Sequence, residues 1–235
     1  MKHSSRRVAV SRTLSDNFLT NILGRMQMHR KTVFAVCLAA LLLAATTSFA
    51  QTTTLTAAER EAALKQLERT KDAFLKSISG LSEKQWTFKP APDRWSIAEV
   101  AEHITVSEGT IFGLVQNKIM NSPAAPEKRT ETQGKDEVIL KNVPDRSHKA
   151  QAPEFLKPAS RWPNREALTK AFEDARKATE DYVRTTNDDL RDHIGPHPVF
   201  GPLDAYQWIL LISAHSDRHT QQIEEVKADP NYPKN

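Results

Sequence analysis

The sequence predicts an all-α protein, a four-helix bundle of up-down sense with one long crossover between its second and third helices. Three observations carry that expectation. Apolar residues recur at spacings of three and four along four long stretches; serine or threonine stands three residues before glutamate or glutamine at the head of several elements; and no stretch alternates with the period of a half-buried strand. There is no internal repeat and no glycine-rich phosphate loop.

The elements follow in order. Thr56 and Glu59 form a capping box for a first helix over about 56–79, whose inner positions are Ala63, Leu67, Thr70, Phe74 and Ile78, with Gly80 able to end it. A smaller box, Ser82 with Gln85, starts one turn that delivers Trp86 and Phe88 toward the core. The loop 89–95 is punctuated by prolines and locked by Trp86 and Trp95. Ser96 with Glu99 opens the second helix, expected to reach about Met120 on a stripe of Ile97, Val100, Ile104, Ile111, Leu114 and Val115, with His103 on its edge. Residues 121–163 hold six prolines and no sustained period, apart from Asp136–Leu140, which suits a turn of helix. They read as a crossover, either a cover over a site mouth or a plain connector, with His148 in solvent. A third helix, 164–187, starts at Asn164. Leu168, Ala171, Phe172, Ala175 and Tyr182 face inward, and Glu173, Asp174, Arg176, Lys177, Glu180 and Asp181 are expected on a solvated outer face. Residues 193–202 read as a rigid loop, and Pro202 suits the first turn of a fourth helix running to about Val226.

The formal charge of +4 does not describe the folded part. Residues 1–50 contain seven of the 33 lysines and arginines and one of the 29 acids, which leaves 26 basic against 28 acidic residues. That balance excludes the basic footprint of a nucleic-acid partner. The first 50 residues are set aside because 26–50 read as a secretory signal peptide: a basic start at His29, Arg30 and Lys31, an apolar core over Thr32–Ala45, and Ser48-Phe49-Ala50 before Gln51. The apolar core is short of the roughly 20 residues that span a bilayer, so export with cleavage near Ala50 is expected, with no stable membrane insertion. Residues 1–25 lack periodicity and read as an extended leader or as sequence upstream of a start at Met26 or Met28. The single cysteine, Cys37, leaves with the leader, so residues 51–235 form one domain without a disulfide, a thiol nucleophile or a cysteine-based metal site.

The fourth helix carries His215 and His219, four residues apart and in line with Trp208, Ile212, Gln222 and Val226. Two imidazoles stacked one turn apart on an inward face either find separate hydrogen-bond partners or share a cation. His103 on the second helix is a third candidate. Three imidazoles and an open position suit a divalent ion of the zinc, nickel, copper or iron kind; three histidines hydrogen-bonded in the core explain the same pattern.

The run 94–108, RWSIAEVAEHITVSE, and the run 197–226, with its H-x3-H and following glutamine, together resemble the second and last helices of the DinB-like superfamily; the likeness spans about 55–228. The resemblance implies a four-helix bundle, a divalent metal, zinc or nickel foremost, on His103, His215 and His219, and a homodimer. It implies a metal-dependent hydrolase acting on a small molecule, or a metal-dependent thiol S-transferase. Export counts against the transferase, whose reduced thiol is cytosolic. A non-catalytic envelope module that binds metal or ligand is the third reading. Glu108, Gln222 and His197 are the residues expected to orient the ligands from behind. Glu102 and Asp217 point off the stripe, and no residue gains a catalytic assignment.

Overall fold

The structure is a computed structural model and describes residues 54–148 and 151–234. The residues read as a leader and its cleavage site, with Cys37 among them, lie outside the described residues.

The capping boxes set the ends of the helices. Thr56 and Glu59 bond reciprocally at the start of α1 (Ala57–Ile78), Ser82 and Gln85 at α2 (Glu83–Thr87), and Ser96 and Glu99 at α3 (Ile97–Leu114). Past Leu114 the chain does not continue as the α-helix expected to Met120. It widens into a π-helical turn, Val115–Ile119, closed by the Met120 N–H on the Val115 carbonyl at 2.9 Å. The long connection holds two short helices, α4 (Arg129–Thr132) and α5 (Lys135–Asn142), the second covering the predicted turn at Asp136–Leu140. Asn164 caps α6 (Arg165–Thr185) by accepting the Ala167 N–H at 2.8 Å.

Two expectations about the C-terminal third are corrected. Residues 193–202 are not an irregular loop. Ile194–His197 (β1) and Gly201–Asp204 (β2) pair antiparallel, His197 opposite Gly201 and Ile194 opposite Asp204. The prolines at 196 and 202 face each other across the ladder, which hides the strand signal. Gly201 takes the left-handed conformation, φ +68°, that closes a three-residue turn. Pro202 is therefore in a strand, and the last helix, α7 (Ala205–Lys227), starts at a fourth capping box, Asp204 with Gln207.

The described residues are mostly helical, and the four long helices share one interior. Both α1 and α3 pack on α6 and α7, so α1 lies diagonally from α3 and α6 from α7. Apolar clusters fill the two ends. One gathers Leu67, Phe112, Val115, Leu203, Ile209 and Ile212; the other gathers Phe74, Val100, Ile104, Leu168, Phe172 and Ile223. Between them, at one position on each helix, runs a polar layer: Thr70, Glu108, Arg176 and Ser216, all buried.

Arg176, expected on the outside of its helix, is wholly buried, and Glu180 is nearly so. All five N–H groups of Arg176 are used. Nε and Nη2 hold the two oxygens of Glu108 at 2.6 and 2.7 Å, Nη2 also reaches Ser216 Oγ at 3.0 Å, and Nη1 serves the Leu67 carbonyl and Thr70 Oγ1. A buried charge survives when its partner and every donor are satisfied.

A second arginine ties α1, α5 and α7 at the hairpin end. Arg191 lies over the Tyr206 ring at 4.1 Å and holds Glu59, Asp136 and Asp204 at 2.7–3.0 Å. Three carboxylates share this one guanidinium. Burial pushes Asp204 up to about 6 against the pull of Arg191. Asp136 also feels burial, but its bonds to Arg191 and Gln207 outweigh it and hold that carboxyl below its usual range.

Candidate metal centre

The geometry of α3 and α7 brings His103, His215 and His219 together. Each offers a ring nitrogen within 4.8 Å of those of the other two. The ring centroids are 4.4 Å apart for His103 and His219, 4.4 Å for His215 and His219, and 4.9 Å for His103 and His215. Trp95 closes the far side, 5.1 Å from the His103 ring.

Hydrogen bonds decide which nitrogens point inward. His103 Nδ1 lies 2.9 Å from the Leu156 carbonyl, an acceptor only, so Nδ1 carries the proton and Nε2 the lone pair. His219 Nδ1 lies 2.8 Å from Gln222 Oε1, which also accepts from Arg146 Nη1 at 3.4 Å. The arginine, which can only donate, fixes the amide with its oxygen toward the histidine; His219 Nδ1 is thus the donor and its Nε2 the free base. His103 Nε2 and His215 Nε2 stand 3.2 Å apart. Two nitrogens on a tetrahedral ion with bonds of 2.0–2.1 Å are separated by roughly 3.3 Å, so this spacing suits a shared ion as well as a hydrogen bond.

The rings are also held neutral, as ligation requires. Burial lowers the basicity of His103, against the Leu156 hydrogen bond that favours its cation. Burial pushes His219 down to about 3, with the charges of His103, Arg146 and Arg218 acting in the same direction. His215 falls well below its usual range through burial and its two histidine neighbours. The donor set fits a divalent ion: three neutral imidazoles, two with their outer nitrogen already bonded.

The other residues singled out in the sequence are placed as follows. Gln222 meets the centre through His219. Glu108 does not join the converging ligand atoms, because Arg176 occupies both its oxygens. His197 stays in the hairpin, its Nδ1 accepting the N–H groups of Val199 and Phe200 and its ring 5.1 Å from that of Trp208. Asp217 turns outward to Arg69 at 2.9 Å. The long connection between α3 and α6 reaches the centre through contacts that the residue pattern does not show. Leu156 touches His103, Arg146 touches Gln222, and Arg218 Nη1 and Nη2 donate to the carbonyls of Val143, Asp145 and His148. Backbone carbonyls leave no trace in residue identity, so no motif could have named them.

The model of the DinB superfamily matches residues 66–223 of the chain, a span that includes all three histidines. The chain belongs to the DinB superfamily. Among proteins of known sequence similar to this DinB protein is the uncharacterized protein YuaE of Bacillus subtilis (strain 168), 29% identical over 150 residues, which are 64% of this chain and 88% of that one. Among solved structures, YfiT from Bacillus subtilis, a probable metal-dependent hydrolase with an unusual four-helix bundle topology, is similar with a TM-score of 0.47 and 10% identity, over 77% of this chain and 92% of that one.

Proposed function

We propose that this DinB-superfamily protein is a metal-dependent hydrolase of a small molecule, holding zinc or nickel on His103, His215 and His219. The observation that carries the reading is the inward convergence of three neutral imidazoles from two helices, with Nδ1 of His103 and of His219 committed to Leu156 and Gln222. An ion on three imidazoles supplies Lewis acidity, polarising a carbonyl or phosphoryl oxygen and making water acidic near neutral pH. The chain's own residues keep the ligands in place. Leu156 orients His103, the Arg146–Gln222 relay orients His219, and Trp95 walls off His103. Glu99, Glu102 and Glu108, the carboxylates on α3, are each committed to other partners, so the ligand set carries the chemistry that this reading assigns.

Removal of the leader near Ala50 and release outside the cytoplasm belong to the same reading, as do an up-down sense for the four long helices and a homodimer. Export favours hydrolysis over transfer to a reduced thiol. Elemental analysis of the protein purified after export is expected to find about one divalent ion per chain, with Gln51 at the N-terminus and a dimer by sedimentation. His215→Ala is expected to lose both the ion and hydrolysis across a panel of ester, amide and phosphate substrates. Metal without hydrolysis would favour the binding module; a spectral change of the cobalt form on adding thiols would favour the transferase.

A further inference from the structure

Glu102, next to the ligand His103, points away from the three-histidine centre and is nevertheless buried. Its carboxylate accepts the backbone N–H groups of Ala159 at 2.8 Å, Ser160 at 2.9 Å and Arg161 at 3.2 Å, and also Arg161 Nη1 at 2.8 Å. Three successive N–H groups turned onto one anion make a nest, and a nest needs a left-handed residue. Ser160 supplies it: φ is +55°, the one positive value outside glycine among the described residues. A non-glycine residue holds that conformation only when its surroundings impose it, and here the carboxylate is what the N–H groups meet.

The same segment is drawn closed on itself. Arg161 donates to the Lys157 carbonyl at 2.8 Å and the Phe155 carbonyl at 3.2 Å, and Glu154–Leu156 form a 3-10 turn. Between those anchors lies the Leu156 carbonyl, 2.9 Å from His103 Nδ1. The segment reaches α3 through two adjacent residues: Glu102 holds its end, and His103 receives its carbonyl.

We propose that Glu102 is a positioning residue of the metal centre. It docks the segment 153–161 so that the Leu156 carbonyl selects the Nδ1–H tautomer of His103 and turns Nε2 to the ligand side. Glu102 acts on the centre through the peptide chain and touches neither ion nor substrate. The inference rests on the metal reading above for its effect on affinity, but its effect on the tautomer does not depend on a metal.

The experiment compares the full chain with Glu102→Ala and Glu102→Gln in two measurements. Nitrogen NMR of the metal-free protein is expected to show His103 as the Nδ1–H form in the wild type and as a mixture in Glu102→Ala. Titration with zinc and cobalt is expected to show affinity about 10–100-fold weaker in Glu102→Ala, with an altered cobalt spectrum, while helical content stays that of the wild type. Glu102→Gln keeps one acceptor oxygen and is expected to fall between the two; it carries the test if the alanine variant does not fold. Wild-type tautomer and wild-type affinity in a folded variant would overturn the proposal. A wild-type protein that takes up no divalent ion would overturn the metal reading instead, and the tautomer measurement would then decide the role of Glu102 alone.

Discussion

Two polar groupings stand side by side in the bundle, one sealed and one half-buried, and they are satisfied in opposite ways. In the layer of Thr70, Glu108, Arg176 and Ser216, every guanidinium N–H has an acceptor and both carboxylate oxygens are used. One residue along α7 from Ser216, at His215, the grouping is open: the outer nitrogens of His103 and His219 are bonded away, their inner ones carry lone pairs, and His215 Nε2 stands 3.2 Å from that of His103. A saturated network closes the bundle and has no capacity for a ligand. Three neutral imidazoles whose inner nitrogens converge can take a cation. The layer is sealed while His215 and His219 are half-buried, and the direction of the unused lone pairs separates the chemical site from the structural one.

The largest effect is expected on the saturated side. Arg176→Ala, or Glu108→Ala, leaves one charge buried without its partner and is expected to cost about 3–5 kcal/mol in urea unfolding. The joint replacement Glu108→Leu with Arg176→Met removes both charges and is expected to cost far less. A single variant that loses under about 1 kcal/mol would mean that water reaches the layer and that it is not the closed network described.

Cutting the other side is expected to look different. His215→Ala is expected to leave the metal-free protein within about 1 kcal/mol of wild type, because no saturated bond network is opened. What it loses is the stabilisation by metal, about 2.7 kcal/mol when free ion stands at 100 times its dissociation constant. Thermal unfolding with and without zinc, on both proteins, reads this directly. An equal gain in both would remove His215 from the ligand set.

These two groupings also mark how far the residues alone could be read. The capping boxes at Thr56, Ser82 and Ser96 and the cap at Asn164 start helices where the pattern places them, because a cap is a local interaction complete within four residues. The three histidines were legible for a similar reason, each lying on or beside an apolar stripe of its own helix. Arg176 was not. Its charge and its neighbours Glu173, Asp174 and Lys177 suggest an exposed face, although it stands four residues after Phe172 and seven before Val183, on the buried side of α6, where it meets Glu108, 68 residues earlier. The hairpin was hidden by Pro196 and Pro202. Glu102 was read as pointing off the stripe, as it does, but its partners are backbone N–H groups 57–59 residues away, which no residue type announces.

Arg191 offers a third case, one cation among three acids. With Asp204 raised from 3.8 to about 6, the folded chain holds more protons than the unfolded chain between those values, so this group's contribution to stability falls as pH rises through that window. Asp136 is shifted the other way: its contribution is present above 3.8 and is lost as pH falls through its lowered folded value. Asp204→Asn keeps a good helix cap and removes only the first effect. The difference in unfolding free energy from urea titration between this variant and wild type is therefore expected to move in the variant's favour from pH 4 to pH 7, by an amount on the order of 1–2 kcal/mol. A flat difference would show that Arg191 neutralises all three acids fully.

Smaller again is the support behind His219. Gln222→Ala removes the acceptor for Nδ1–H without touching the ligand nitrogen, and zinc affinity is expected to weaken about tenfold. Unchanged affinity would confine the amide to helix packing.

The mildest test asks whether distance or burial sets the cost of an ion pair. Lys170 and Asp174 on the outer face of α6 approach to 2.6 Å, the same separation as Arg176 Nε and Glu108, but their side chains are 73% and 63% exposed where the inner pair is at 0%. Water solvates both partners when either is removed, and ordering two long side chains offsets most of the attraction. Lys170→Ala is therefore expected to change stability by less than about 0.5 kcal/mol. If it cost as much as Arg176→Ala, contact distance would be the governing variable, and the distinction between a sealed polar layer and a solvated charge pair would fail on the same helix.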